Sequence, residues 1–411
     1  MSDAAPAPKR QAAFAFVFMT VVLDVLALGV IIPVLPELVK SFMGGDTAQA
    51  ARITGVFGTV WALMQFIFSP LLGVISDRFG RRPVILVSCL GLGLDYLFMA
   101  IAPTLGWLFV GRVISGITAA SFATAGAYIA DVTPPEKRAA SFGMLGAAFG
   151  LGFVLGPALG GFLGGYSLRL PFWVAGALCL LNTLYGVFVL PESLPPERRA
   201  GFSWKKANPV GSLFFLRSHP QLLGMAALLF LYHLAHQVLP SVFILYSNFR
   251  YGWTPKTNGS VLATVGICSV IVQALLVRRI VPLLGERRAL LTGVFFGAAG
   301  FFIYGFASSG AVFWLGVPVF SLLGLYGPSS QAITTRLVSP NEQGQLQGAN
   351  SCVMGITGMI GPVLFTATFA EFLRPDRNWN LPGAPFLLAA CLMVLAFFLA
   401  LAIVRSPKPS H

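Results

Sequence analysis

Asp24 and Asp95 are acids set deep inside long apolar runs, Val21-Val22-Leu23-Asp24-Val25 and Gly93-Leu94-Asp95-Tyr96-Leu97. A charged side chain at bilayer depth costs roughly 2.5–3.5 kcal/mol on insertion scales, so such residues mark ion or substrate pathways by default. An acid that gains and loses a proton there can couple proton flow to other work. Arg112, in Gly111-Arg112-Val113-Ile114-Ser115-Gly116, stays charged and must find an acid, carbonyls or water. It either stabilises a coupling carboxylate in its ionised form or locks helices together. The structural alternative for both acids is a pair with this same arginine.

Two further groups carry chemistry. His233 and His236 are three residues apart, on nearly one face of a helix. They titrate near neutral pH, so they either bind substrate, share the proton, or simply bond neighbouring helices. No third metal ligand accompanies them. The run Gly73-Val74-Ile75-Ser76-Asp77-Arg78-Phe79-Gly80-Arg81-Arg82-Pro83 reads as a charged turn at a membrane surface. Gly73 is expected to permit close packing, Asp77 to accept from a helix N-terminus, and Gly80 to turn the chain. Asp131 is a candidate partner for one of the arginines, making a charge lock that favours one state of a rocking molecule. Gly150, Gly152, Gly156, Pro157, Gly160 and Gly161 form a small-residue seam for close helix crossing.

The elements that position these residues must be membrane helices. The chain is 56% hydrophobic and only 10% charged, against about 25% charged in soluble domains. Twelve runs of about the ~20 residues a span needs lie near 12–35, 53–75, 83–102, 106–130, 139–165, 170–190, 221–246, 258–281, 288–307, 311–337, 345–370 and 384–404. They are too long and too unalternating for barrel strands. The five cysteines (Cys89, Cys179, Cys268, Cys352, Cys391) fall within these runs without metal-ligand spacing and read as packing residues.

The net charge of +13 is topological. Apart from Arg112 and Lys40, Arg52, Arg169, Arg250, Lys256, Arg374 and Arg377, the basic residues lie at the termini and in the even-numbered connections. This places both termini in the cytoplasm and makes anionic lipid, not nucleic acid, the partner of the surplus. A proline-rich basic linker at 191–220 separates halves 1–190 and 221–411. The halves echo one another at an offset of 205: Gly80 and Gly285, Gly150 and Gly355, Gly156-Pro157 and Gly361-Pro362. Six spans return the chain to its starting side, so the repeats are parallel, and a path between them suits a transporter.

Residues 73–82, Arg112 and the 150–161 seam resemble the signature motifs of the major facilitator superfamily. Leu23-Asp24, Pro33 to Pro36, Ala62 to Phe66, Asp95-Tyr96, Ala125 to Asp131 and Gln343 to Gly348 resemble its tetracycline-resistance efflux pumps. The resemblance covers nearly the whole chain. It implies an all-α protein, twelve transmembrane helices in two six-helix repeats around a central cavity, and proton-driven antiport of an organic compound. It implies proton coupling at Asp24, Asp95 and Arg112, and a cytoplasmic gate at Gly73, Asp77, Arg78, Gly80, Arg81, Arg82 and Asp131. Gln65, Asn182 and Gln273 match polar residues facing the cavity.

Tyr96, His233, His236, Gln237, Gln331 and Asn350 complete the expected cavity lining, with Phe230 and Tyr326 as aromatic candidates. Two positions depart from the pumps. Gly297 stands where they have an acid in the ninth span, and Ser269 where they have a histidine in the eighth. In the family both positions handle metal-chelated tetracycline. The expected protein is therefore a monomeric bacterial inner-membrane exporter of an amphipathic compound, with tetracycline the leading substrate. It needs no cofactor or resident metal beyond the proton gradient, and magnesium only for a tetracycline chelate. The alternatives are a metabolite transporter and a non-transporting receptor or scaffold. No catalytic constellation supports an enzyme.

Overall fold

A computed structural model describes residues 7–118, 121–133, 138–199, 201, 208, 211–217, 220–338, 342–374, 379 and 381–404. Part of the expected linker, including 202–207, lies outside the described residues. The regular structure of the described residues is helical, without strands. In chain order the helices are α1 (Ala7–Ile31), α2 (Leu35–Phe42), α3 (Thr47–Phe79), α4 (Arg81–Ile101), α5 (Leu105–Thr118), α6 (Ser121–Val132), α7 (Arg138–Gly164) and α8 (Leu170–Val189). They continue as α9 (Phe214–Arg217), α10 (Pro220–His236), α11 (Val238–Tyr251), α12 (Pro255–Ile271), α13 (Val277–Phe306), α14 (Gly310–Ser321), α15 (Tyr326–Thr335), α16 (Gln343–Phe372) and α17 (Ala384–Ile403). A π-helical turn, Val272–Leu276, joins α12 to α13.

Local chemistry sets the boundaries. Asp46 Oδ1 accepts from the backbone N–H groups of Ala48 and Gln49 at 2.9 and 3.0 Å, capping the start of α3. Gly252, at φ 65°, ends α11 in the left-handed conformation that glycine adopts without cost. Gly80 (φ 107°, ψ 158°) breaks the chain between α3 and α4, and Gly285 (φ 75°, ψ 157°) breaks the helical course of α13 in the same way. The two glycines of the sequence offset are thus two copies of one backbone corner.

Among the described residues, nine helical runs are long and apolar enough to cross a membrane, and Leu105–Thr118 and Gly150–Gly164 are shorter apolar helices. Large apolar side chains such as Val87, Phe188, Leu283, Phe306 and Leu315 stand exposed on these helices. A soluble protein would hide them; hydrocarbon is their natural solvent.

The chain forms two compact units. One comprises Met1–Leu38, Val60–Pro209 and Thr254–Ala263; its core is α1 against α7 and α8, and α4 against α5 and α8. The start of α12 belongs to this unit, where Gly259 lies against Gly161. The other unit comprises Val39–Thr59, Val210–Trp253 and Thr264–His411, and packs α13 on α14, α15 and α17, and α10 on α16 and α17. The start of α3 belongs here, where Gly55 lies against Thr366 and Thr59 Oγ1 donates to Met359 O at 2.7 Å.

The small-residue seam is the contact of α7 with α1. A Cβ on Gly152 would come within 2.7 Å of Val25 Cβ, and Gly160 lies against the Val30 carbonyl. Pro157 stays within the helix. Two glycines depart from the expectation of close packing. Among the described residues, a Cβ on Gly73 or on Gly150 would meet nothing within 4 Å. Neither meets a neighbouring helix among the described residues.

Candidate functional site

The first unit carries a buried polar cluster on three helices. Asp24 enters from α1, and α8 supplies Asn182, whose Nδ2 donates to Asp24 Oδ1 at 3.4 Å and to Thr20 O at 3.4 Å. Thr20 Oγ1 returns a hydrogen bond to Asn182 Oδ1 at 3.2 Å. From α4, Cys89 Sγ lies 3.7 Å from both Asp24 oxygens. A thiol read from the sequence as packing is therefore also a donor to the acid. Asn182, expected to face a cavity, is buried in this cluster.

Asp95 sits on α4 beside the fully buried Tyr96, with only 2% exposure. Among the described residues no donor reaches either carboxylate oxygen. Arg112 of α5 is the cation whose field acts on it. Its guanidinium carbon lies 5.4 Å from the Trp61 ring centroid, a cation–π contact. Gly111 leaves room for the acid: a Cβ there would stand 3.1 Å from Asp95 Oδ1. The two acids therefore differ in kind. Asp24 is held by side chains of two other helices; Asp95 is held by no described side chain.

The charged turn forms a network in the same unit. Arg81 Nη1 meets Asp77 Oδ1 and Ser76 Oγ, each at 2.6 Å, and its Nε meets Asp131 Oδ2 at 3.1 Å. Ser193 Oγ donates to the same Asp131 oxygen at 3.2 Å. Asp77 binds the arginine side chain rather than a helix N-terminus. That role falls to Glu192, whose Oε1 accepts from the Arg81 N–H at 2.9 Å and whose Oε2 accepts from the Arg82 N–H at 3.3 Å. The first N–H groups of a helix have no internal partner and favour an anion. Arg82 Nη2 reaches Val187 O at 2.7 Å, and Arg78 lies over Phe79. Glu192 had been legible only as part of a linker. Glu192→Ala is expected to cost about 1 kcal/mol through loss of the cap, seen as a lower melting temperature of the purified protein; an unchanged melt would count against the cap.

The second unit carries a pair of opposite sense. Glu286, next to Gly285, meets Arg336 at 2.5 Å. Both pairs, Arg81–Asp131 and Glu286–Arg336, span 50 residues, and their members correspond at the offset of 205 with acid and base interchanged. Arg336 is 72% exposed against 12% for Arg81, so the second pair contributes at most ~1 kcal/mol.

A cavity of about 240 Å³ opens in the second unit. His233 of α10, Gln331 of α15 and Asn350 of α16 line it, together with Tyr232, Tyr326 and Gln347. Other expected lining residues lie elsewhere. His236 continues the ring stack of Tyr232 at 6.1 Å, and Gln237 packs against Gly361. Gln273 is exposed on the π-helical turn, Gln65 is half-buried on α3, and Phe230 is not among the cavity's described lining. Gly297 is enclosed: a Cβ there would stand 2.6 Å from Leu323 Cδ1 and 2.9 Å from Met393 Cε. The neighbours that enclose it are apolar. Ser269 is half-buried on α12.

The Major Facilitator Superfamily family model matches residues 17–362 and 283–411. The class C tetracycline resistance protein of Escherichia coli is 37% identical over 390 residues, covering 94% of this chain and 96% of that protein. The class B protein of Escherichia coli is 36% identical over 385 residues, covering 92% and 94%. The crystal structure of the human organic anion transporter MFSD10 superposes with a TM-score of 0.70 at 24% identity, covering 96% of this chain and all of that one, which is a likeness of fold.

Proposed function

Because this chain belongs to the Major Facilitator Superfamily, we propose that it is a proton-coupled antiporter that exports an amphipathic organic compound. The observation that carries this reading is the pair of buried acids in unlike environments, Asp24 bonded to Asn182 and Asp95 with no described donor, together with the buried Arg112. In the proposed cycle, substrate binds from the cytoplasm while an acid is ionised. After the site turns outward, protonation favours release, and the proton returns inward. The Arg81–Asp131–Ser193 network holds one conformation at the cytoplasmic face.

Several features support twelve spans in two six-helix halves, 1–190 and 221–411, joined by the cytoplasmic linker 191–220. The 52-residue run Pro255–Phe306 turns at Gly285 and so counts as two spans, and the two shorter apolar helices add to the nine. The matched corners Gly80 and Gly285 and the inverted ion pairs support the repeat. The distribution of arginine and lysine supports cytoplasmic termini, and the bacterial relatives support an inner membrane. Tetracycline is the first compound to test, after the relatives' names; magnesium enters only as its chelate.

Everted vesicles with an acid interior and a fluorescent pH reporter provide the test. Magnesium–tetracycline, then a panel of metal-free amphipathic drugs, should include at least one compound that releases protons. Silence to every compound, with protein present and folded, sinks the antiport reading.

A further inference from the structure

Resting on the exporter reading, we propose that the cavity of the second unit is a stacking site for an uncharged, planar system of two or three fused rings, bound without a metal ion. Its walls state the chemistry. Tyr232 stacks on Tyr326 with ring centroids 3.9 Å apart and planes 17° from parallel. His233 meets Tyr232 edge-on, at 5.0 Å and 88°. A flat ring system can lie against the exposed edges of these rings in the offset or edge-to-face geometry that aromatic pairs prefer.

Around the rings, Gln331, Gln347 and Asn350 bring amides that both donate and accept. The described lining includes no lysine, arginine or carboxylate, so an ion entering would lose hydration and find no counter-charge. Size sets the ring count. Drug-sized ligands occupy roughly 300–1,000 Å³; about 240 Å³ sits just below that range. A hard cation such as magnesium binds through carboxylates and water. Here it would meet one imidazole and neutral amides, and Gly297, where the resemblance to the pumps expects an acid, is enclosed by Leu323 and Met393.

The experiment uses the full-length protein in nanodiscs and 7-ethoxycoumarin, a neutral two-ring fluorophore. Binding is measured by fluorescence with EDTA and again with excess magnesium. Saturable binding of equal affinity in both is expected. Tyr232→Ala should weaken it about ten-fold, the equivalent of one stacking contact, while Tyr232→Phe stays near wild type. Gln331→Leu, at an exposed position that leaves the fold alone, should weaken it as well. Binding that requires magnesium, or that is indifferent to both Tyr232→Ala and Gln331→Leu, overturns the proposal.

The same fluorophore is then added to the acid-interior vesicles. Tyrosine-dependent binding, with no proton release by coumarin, magnesium–tetracycline or any compound of the panel, keeps the pocket and removes the export reading. Proton release by magnesium–tetracycline without coumarin binding does the reverse.

Discussion

Asp95→Asn is expected to bring substrate-driven proton release to background in everted vesicles, while the purified protein melts at the wild-type temperature or above it. The two halves of this expectation come from one observation. Asp95 is buried and no described side chain donates to it. An ionised carboxylate without a donor in that setting is a cost to the fold. The amide is nearly isosteric and cannot ionise, so it removes the cost and the proton site together.

Asp24→Asn should behave differently. Asp24 accepts from Asn182 and Cys89, and an amide in its place leaves buried donors without their charged acceptor, at ~1–3 kcal/mol. Its melting temperature should fall along with its activity. A structural role for Asp95 predicts the same fall for both variants. Wild-type transport by a folded Asp95→Asn protein would remove this residue from the coupling step.

Chemistry concentrated in single residues against an apolar background was readable from sequence. Asp24, Asp95 and Arg112 stand out because a charge in hydrocarbon is improbable unless used, and long apolar runs admit only helices. The corners at Gly80 and Gly285 were readable because a positive φ demands glycine. What escaped was pairing across the fold. Cys89 looks like any small helix residue until α1 is laid beside α4. Glu192 looks like linker until the chain returns to the start of α4. Tyr232, one of many aromatic residues, acquires meaning only from Tyr326, far along the chain. The inverted pair Glu286–Arg336 defeats a search for repeats because interchange of acid and base preserves the contact and erases the identity. Gly73 and Gly150 err the other way: small residues suggest a crossing, and among the described residues a Cβ there would meet no neighbour.

Gly156→Val is expected to abolish recovery of folded, monodisperse protein, whereas Gly150→Ala should be recovered at wild-type yield. At the crossing of α1 and α7, a Cβ on Gly156 would stand 2.7 Å from Gly29 Cα and 2.8 Å from Leu26 O. The contact is reciprocal, since a Cβ on Gly29 would stand 2.9 Å from Gly156 Cα and from Pro157 Cδ. Both sides of this contact are backbone or a proline ring, so no rotamer relieves it. Overpacking a soluble core costs about 1–3 kcal/mol where side chains can shift; here whole helices must separate. In a membrane that loss is not recovered elsewhere, because close approach at small residues is itself what draws helices together. The separation also reaches the polar cluster, since α1 carries Thr20 and Asp24 toward Asn182 on α8. Any Gly156→Val protein that does survive should therefore be impaired in coupling as well as in stability. Fluorescence-detected gel filtration and thermal melting of the two variants decide the matter. A monodisperse Gly156→Val protein with a wild-type melt would mean that α1 and α7 do not approach so closely.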